Sequence, residues 1–361
     1  MTANARRRRT LPTLVAVAGS AVLALAACGS GGDGTTAPPP VTQGAHLEPA
    51  KVSPPTPAAQ PRWPLTGVAT AQGVDRPALA VKIENSVEAR PQTGLDEADL
   101  VWEEVVEGGI TRYAAVYQSK VPAEVGPVRS VRPMDPLIAG PLKGLIAFSG
   151  GQPRFVALVA ASPLQMFTDD KGSPGFYRKR GVGPAPHDLY GDPSVWFAHA
   201  DGAHSAPPPQ QFAFARTAAE ATAVVSGAPA AKVAIVMSGY SHPTWTWDAK
   251  SATWLRSEFA KPAVVRSGKR LTATNVVTLD VKLVDSGAHD PAGNPVPATV
   301  LSGTGAGTVS TGGRTLAVTW SKASDDEPVV LTTTDGQPVL LAPGNTWVEL
   351  VPTTSGSVKA S

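Results

Sequence analysis

The 361 residues contain a single cysteine, and it stands directly behind Leu25-Ala26-Ala27 at the end of a short apolar run. That placement constrains the fold before any secondary structure is read. Four arginines at 6–9 form a basic start, residues 14–24 form an apolar stretch too short to span a bilayer, and Ala26 and Ala27 provide a small-residue cleavage approach. With Cys28 this is the grammar of a lipoprotein signal peptide over residues 1–27, after which Cys28 becomes the acylated, palmitate-carrying N-terminus. No cysteine then remains for a disulfide, so the exported part must be held by core packing alone.

Removing the leader also reverses the charge balance. The 31 Lys and Arg fall to 27 when the four leader arginines go, against 29 Asp and Glu, so the formal charge moves from +2 to −2. The basic excess therefore belongs to export and not to nucleic-acid binding, which is set aside. No apolar stretch after Cys28 has the length of a membrane span. The expected partner is thus the membrane, through the Cys28 lipid, at the extracytoplasmic face of the cell membrane.

Composition divides the chain beyond the leader. Residues 28–62 are rich in Gly, Ser, Thr and Pro and poor in large apolar groups, and read as a flexible tether. A first domain is expected over 63–199, a Pro-rich linker over 200–211, a second domain over 212–353 and a frayed tail over 354–361. Two cores meeting over a limited interface are expected from that linker.

In the first domain the run 77–85 reads as a strand, and the runs 98–106 and 110–118 around Glu107-Gly108-Gly109 read as a hairpin. Residues 145–148 read as a buried strand, broken at Ser149-Gly150-Gly151 and followed by a helix over 154–161, which together suggest an α/β layer. The second domain carries short strand candidates at 233–237, 244–247, 253–256, 275–283, 296–301, 315–320, 329–332, 339–341 and 347–351, with a helix at 218–226. The fold class is therefore α+β, an α/β-layered N-terminal domain followed by a mostly-β C-terminal domain.

Several motifs look familiar in their order. Arg76-Pro77-Ala78-Leu79-Ala80-Val81, Ala89-Arg90-Pro91-Gln92-Thr93-Gly94-Leu95, the segment 104–112, Gly126-Pro127-Val128-Arg129-Ser130-Val131-Arg132-Pro133 and Ser149-Gly150-Gly151 resemble the YerB-like lipoproteins. Gly303-Thr304-Gly305, Trp320-Ser321-Lys322 and Pro343-Gly344-Asn345-Thr346-Trp347-Val348 are similar to the companion C-terminal domain of that family. The resemblance implies a two-domain, lipid-anchored envelope protein of Gram-positive type, and it names no reaction. Two departures stand out: Phe148 where the family commonly has a histidine before Ser-Gly-Gly, and Met134 where an aromatic is usual.

Arg112, Arg129 and Arg132 are the leading ligand-binding candidates, together with Ser149, Gly150 and Gly151. A guanidinium offers a planar fork to carboxylate or phosphate, and an anionic cell-wall polymer or an envelope protein would present either. The alternative is a structural network in which these arginines pair with Glu103, Glu104 and Glu107. A rival reading, a cell-wall-active hydrolase or transferase, uses Ser149 as nucleophile, His187 as base with Asp169, Asp170 or Asp188 as its orienter, and Glu104 and Glu107 as paired carboxylates. Residues three apart on a strand face opposite ways, so Glu104 and Glu107 share a site only if the turn begins at Glu107. Trp245, Trp247 and Trp254 read as a sugar-stacking platform or, more commonly, as core, and Trp320 and Trp347 as core. No spacing resembles a metal site, a P-loop or a dinucleotide fingerprint, so neither metal nor cofactor is expected.

The Cys28 assignment predicts that the protein incorporates a fatty-acid analogue in growing cells. Cys28→Ser should abolish the label, and label retained by that variant would contradict the assignment.

Overall fold

The computed structural model describes residues 60–71 and 73–361. The leader, Cys28 and nearly all of the tether lie outside the described residues. The first half supplies β1 (Leu79–Glu84), β2 (Leu100–Val105), β3 (Thr111–Tyr117), β4 (Leu145–Phe148), β5 (Gln165–Thr168), β6 (Phe176–Arg178) and β7 (Leu189–Gly191). Its helices are α1 (Asp135–Ala139), α2 (Pro153–Ala160) and α3 (Pro193–Ala198). The second half begins with α4 (Thr222–Ser226) and β8 (Ala228–Pro229), followed by β9 (Lys232–Val236), β10 (Pro243–Asp248) and β11 (Thr253–Glu258). It continues with β12 (Lys261–Pro262), β13 (Thr272–Ala273), β14 (Asn275–His289), β15 (Pro295–Val300) and β16 (Gly303–Thr311). β17 (Arg314–Lys322), β18 (Val330–Thr333), β19 (Thr346–Pro352) and β20 (Ser357–Ala360) complete it. The fold class is α+β, helices gathering in the first half and strands dominating the second.

Alternating apolar and β-branched residues make β2 and β3 a hairpin, with Leu100 opposite Val116 and Glu104 opposite Arg112. β1 lies antiparallel to β3 and parallel to β4, and β4 is parallel to β5 across α2. On the other side β2 pairs in parallel with β19, which pairs in parallel with β14. One sheet therefore runs in the order β18-β17-β16-β14-β19-β2-β3-β1-β4-β5, with β15 and β8 on side branches. A smaller sheet, β12-β11-β10-β9-β20 with β13 beside β11, packs against one face of it.

The expectation of two cores with a limited interface is not what this topology gives. The ladder between β2 and β19 crosses from one half to the other, and both faces of the large sheet carry cores with residues from both halves. The segment 200–211 ends pinned to the first half: Gln211 Nε2 donates to the Pro141 carbonyl at 3.2 Å, and Phe212 stacks on Trp102. Three local expectations also change. The tail is not frayed, since β20 pairs antiparallel with β9. Residues 339–341 form no strand, while Gly-rich β16, not expected as one, lies between β14 and β17. Trp245, Trp254, Trp320 and Trp347 are buried, so the tryptophans serve as core and not as an open sugar platform.

A shared sheet predicts shared cooperativity. Urea unfolding of the mature chain, followed by far-UV circular dichroism and by tryptophan fluorescence, should give coincident midpoints. Two separated transitions, one for each half, would contradict it.

Candidate functional site

Strand alternation sends Lys82 and Glu84 of β1, Glu104 of β2 and Arg112 of β3 to the face that carries α1 and α2. Four ionisable groups on one sheet face must find partners there or cost several kcal/mol each. Lys82 Nζ bonds Glu104 and lies 2.7 Å from Asp135 Oδ1, while Asp135 Oδ2 accepts the Arg132 backbone N–H at 2.5 Å. One ammonium thus faces two carboxylates. Burial, and next the nearby Asp135 charge, push Glu104 up to about 7.

The turn does begin at Glu107, where a short 3-10 segment Glu107–Gly109 folds that carboxylate back over the Arg112 side of the hairpin. Arg112 Nη2 donates to Glu107 Oε1 at 2.9 Å, and its Nη1 donates to the Ser130 carbonyl at 2.9 Å. Arg132 closes the arrangement, Nε donating to Glu107 Oε2 at 2.5 Å and Nη2 bonding Oε1. Burial works against ionising Glu107, but Arg132 and Arg112 outweigh it and hold the carboxyl at about 2. Arg112 and Arg132 are consequently buried structural partners of Glu107. Glu104 and Glu107 reach one side of the sheet but answer to different cations, which leaves them no shared reactive position.

Arg129 is different. Its Nε lies 3.4 Å from Glu84 Oε2, its side chain is 23% exposed, and neither terminal nitrogen bonds any described residue. Glu84 also meets His187 Nδ1, 3.0 Å from both oxygens, and accepts from Ser86 Oγ at 3.0 Å. The Arg129 carbonyl accepts the Ser149 N–H at 3.0 Å, and Ser149 Oγ lies 3.2 Å from Ser130 Oγ. Gly150 turns with φ +143°, and a Cβ there would fall 2.7 Å from Asp170 Oδ2, so only glycine fits. These groups gather beyond the carboxyl ends of β1, β4 and β5, the edge where parallel strands present ligand-binding loops.

The expected nucleophile is not assembled. Ser149 and His187 share no hydrogen bond, and the orienter of His187 is Glu84 instead of Asp169, Asp170 or Asp188. Asp188 instead holds Arg178 at 2.7 Å, and Asp170 bonds Thr168. Among the described residues no three of His, Cys, Asp and Glu converge as metal ligands do.

The opposite face of the same strands holds a second charged cluster that sequence reasoning does not single out. Glu103 of β2 stands beside Glu349 of β19 in the parallel ladder, and Arg256 of β11 reaches both from the smaller sheet. Its Nη2 lies 2.6 Å from Glu103 Oε2 and 3.2 Å from Glu258 Oε2, and its Nη1 lies 2.8 Å from Glu349 Oε1. Trp347, Trp245 and Tyr113 surround the guanidinium at 4.7, 5.3 and 5.6 Å from their ring centres. Burial raises both acids, but Arg256 and the Thr111 hydroxyl hold Glu103 below its ordinary value, whereas burial and the Glu103 charge push Glu349 up. Of the two, Glu103 holds its charge more readily than Glu349. The available signal was Trp254, Arg256 and Glu258 at period two, all buried.

Two models of one family match in series: the N-terminal domain of a protein of unknown function (DUF3048) over residues 65–205, and its C-terminal domain over residues 233–348. The chain belongs to the DUF3048 family. A stretch of 79 residues is 49% identical to a Bacillus subtilis (strain 168) protein named "Putative lipoprotein YerB", covering 22% of this chain and 24% of that relative, about a quarter of its length. The crystal structure of YerB protein from Bacillus subtilis is similar in fold, with a TM-score of 0.70 at 24% identity over 83% of this chain and 100% of that one. The motif resemblance to YerB-like lipoproteins therefore holds. Among the described residues no helix of this DUF3048 chain is long and apolar enough to cross a membrane.

The depressed Glu107 gives an acid-side prediction. Below about 4.5 the unfolded carboxyl binds protons that the folded one refuses, so the stability present above that pH is lost as pH falls toward 2. Glu107→Gln should flatten that dependence and cost about 3–5 kcal/mol at pH 7, because Arg112 and Arg132 stay buried without their anion. Urea unfolding at pH 7 and pH 3 checks both, and a neutral-pH stability equal to wild type would contradict the network.

Proposed function

We propose that the chain is a lipid-anchored envelope protein, held by Cys28 at the extracytoplasmic face of the membrane, whose folded part binds an anionic wall polymer without catalysing a reaction on it. The anchor rests on the Leu25-Ala26-Ala27-Cys28 motif and on the lipoprotein name of the relative. The binding site proposed is the Arg129 edge, with Ser130, Ser149 and the Gly150-Gly151 turn beside it. One observation carries this reading: of the three candidate arginines, Arg129 alone keeps both terminal nitrogens uncommitted, while Arg112 and Arg132 fasten the loop that carries it. A guanidinium held by its backbone and free at its tip is prepared for phosphate or carboxylate. The hydrolase alternative has no hydrogen-bonded nucleophile and base to support it.

Co-sedimentation of the mature ectodomain with wall sacculi, before and after removal of their anionic polymers, tests the reading. Wild type should pellet only with the untreated wall. Arg129→Ala should weaken binding about tenfold or more at a smaller stability cost than Arg132→Ala, since buried Glu84 loses one ion-pair partner but keeps His187 and Ser86. Arg132→Ala should instead destabilise by about 3–5 kcal/mol by stranding Glu107. Equal pelleting of Arg129→Ala and wild type would overturn the proposed site.

A further inference from the structure

Arg90-Pro91-Gln92 and the end of β11 line a cavity of about 550 Å³ on the face opposite the Arg129 loop. That volume falls in the range of small-molecule sites. Val87 and Pro91 line it from the first half, Phe259 and Leu271 from the second, and Tyr113 and Arg256 from the buried interior. Val87 and Phe259 are 74% and 51% exposed, large apolar groups left facing solvent at residues that line the cavity. Phe259 sits at φ +52°, a left-handed conformation a bulky residue adopts only under constraint, with its ring stacked on His242 at 4.4 Å.

Polar groups in the wall lack partners. Tyr113 is 2% exposed, yet its hydroxyl bonds no described residue, and the buried Nε of Arg256 has no partner either. Arg90 spends Nε and Nη2 on Asn85, at 2.8 and 2.9 Å, and leaves Nη1 unused. Of these, Arg256 Nε is a buried donor without an acceptor, while the Tyr113 hydroxyl and Arg90 Nη1 keep access to the cavity they line, where a bound group can supply one. The charged lining residues are Arg90, Arg256, Lys261 and Glu258; Arg256 is already answered by Glu103, Glu258 and Glu349, and Arg90 Nη2 lies 3.8 Å from Glu258 Oε2, which leaves Arg90 Nη1 and Lys261 as the cationic donors open to an anion.

We infer that this cavity binds a small amphipathic anion, an apolar and preferably aromatic body lying against Val87, Pro91, Phe259 and Leu271, with one anionic group accepting from Arg90 and Tyr113. The site is independent of the wall-binding edge. It uses residues of both halves, so its occupant ties them together and raises the melting temperature by mass action.

The probe is 8-anilinonaphthalene-1-sulfonate, an aryl body with one anion, titrated by fluorescence into the natively folded mature chain, with N-phenyl-1-naphthylamine as its uncharged counterpart. One saturable site per chain is expected, with tighter binding of the sulfonate than of the neutral probe. Arg90→Met should weaken the sulfonate about tenfold or more and leave the neutral probe within about twofold, since it removes the charge-assisted bond to the ligand along with the Arg90 bonds to Asn85. Tyr113→Phe should weaken the sulfonate without lowering the melting temperature, because that hydroxyl supports nothing in the protein. Ala263→Trp, which fills the cavity, should abolish both. If Arg90→Met melts early, Tyr113→Phe and Ala263→Trp decide on their own. Absence of a saturable site in wild type, or sulfonate binding unmoved by Tyr113→Phe and Ala263→Trp, overturns the inference.

Discussion

A guanidinium with no exposed surface, Arg256, sits between two layers and three acids, and the way the halves of this protein meet depends on it. Placing β19 in parallel register beside β2 brings Glu349 next to Glu103, both fully buried. Two carboxylates so placed repel strongly at low dielectric. Arg256 answers from the second sheet, and burial beside Glu103 shifts Glu349 toward its protonated form, which eases the repulsion. The aromatic rings around the guanidinium exclude water and add cation–π attraction. An ion pair this deep contributes modestly to net stability compared with apolar packing, but it penalises any other register heavily, because a slipped strand would bury an uncompensated charge.

The same strands carry charge on their other face, and strand periodicity explains why the two sets never mix. Glu103 and Glu104 are neighbours in sequence and belong to different networks: one meets Arg256, the other Lys82. The hairpin is thereby pinned on both sides at the end near Glu107. Loop 126–133 inherits that rigidity through Arg112 and Arg132, which is why a side chain on it can be held in place without being buried.

Much of this was legible in the sequence where apolar alternation was clean. β1, the β2–β3 hairpin, β4 and α2 follow from such runs and from glycine turns. β16 escaped because Gly305 and Gly307 interrupt the apolar signal. They are there because a neighbouring strand presses close, the Thr278 carbonyl lying 2.2 Å from where a Gly307 Cβ would stand. β20 escaped because a polar edge strand pairs through its backbone and leaves no pattern in its side chains. The roles of Arg112 and Arg132 were open in the sequence, since an arginine near an acid reads alike as a site or as a strut. Burial separates them. Arg256 was hidden by inversion: on β11 the buried positions are Trp254, Arg256 and Glu258, while Leu255 is only half-buried, against the usual rule of apolar residues inside.

The position of β19 has a consequence for how the molecule comes into being. It lies near the middle of the large sheet, yet it is almost the last strand to be made, some 240 residues after its neighbour β2. A chain emerging from its N-terminus can close the β2–β3 hairpin early, but one edge of β2 then stays unpaired, with Glu103 facing a space that its cation has not reached. Contacts so distant in sequence form slowly, and an open strand edge invites pairing with the wrong chain. Until Thr346–Pro352 arrives to fill the gap between β14 and β2, the nascent protein is therefore most vulnerable along that edge, where the buried glutamate blunts its appeal as a template for aggregation.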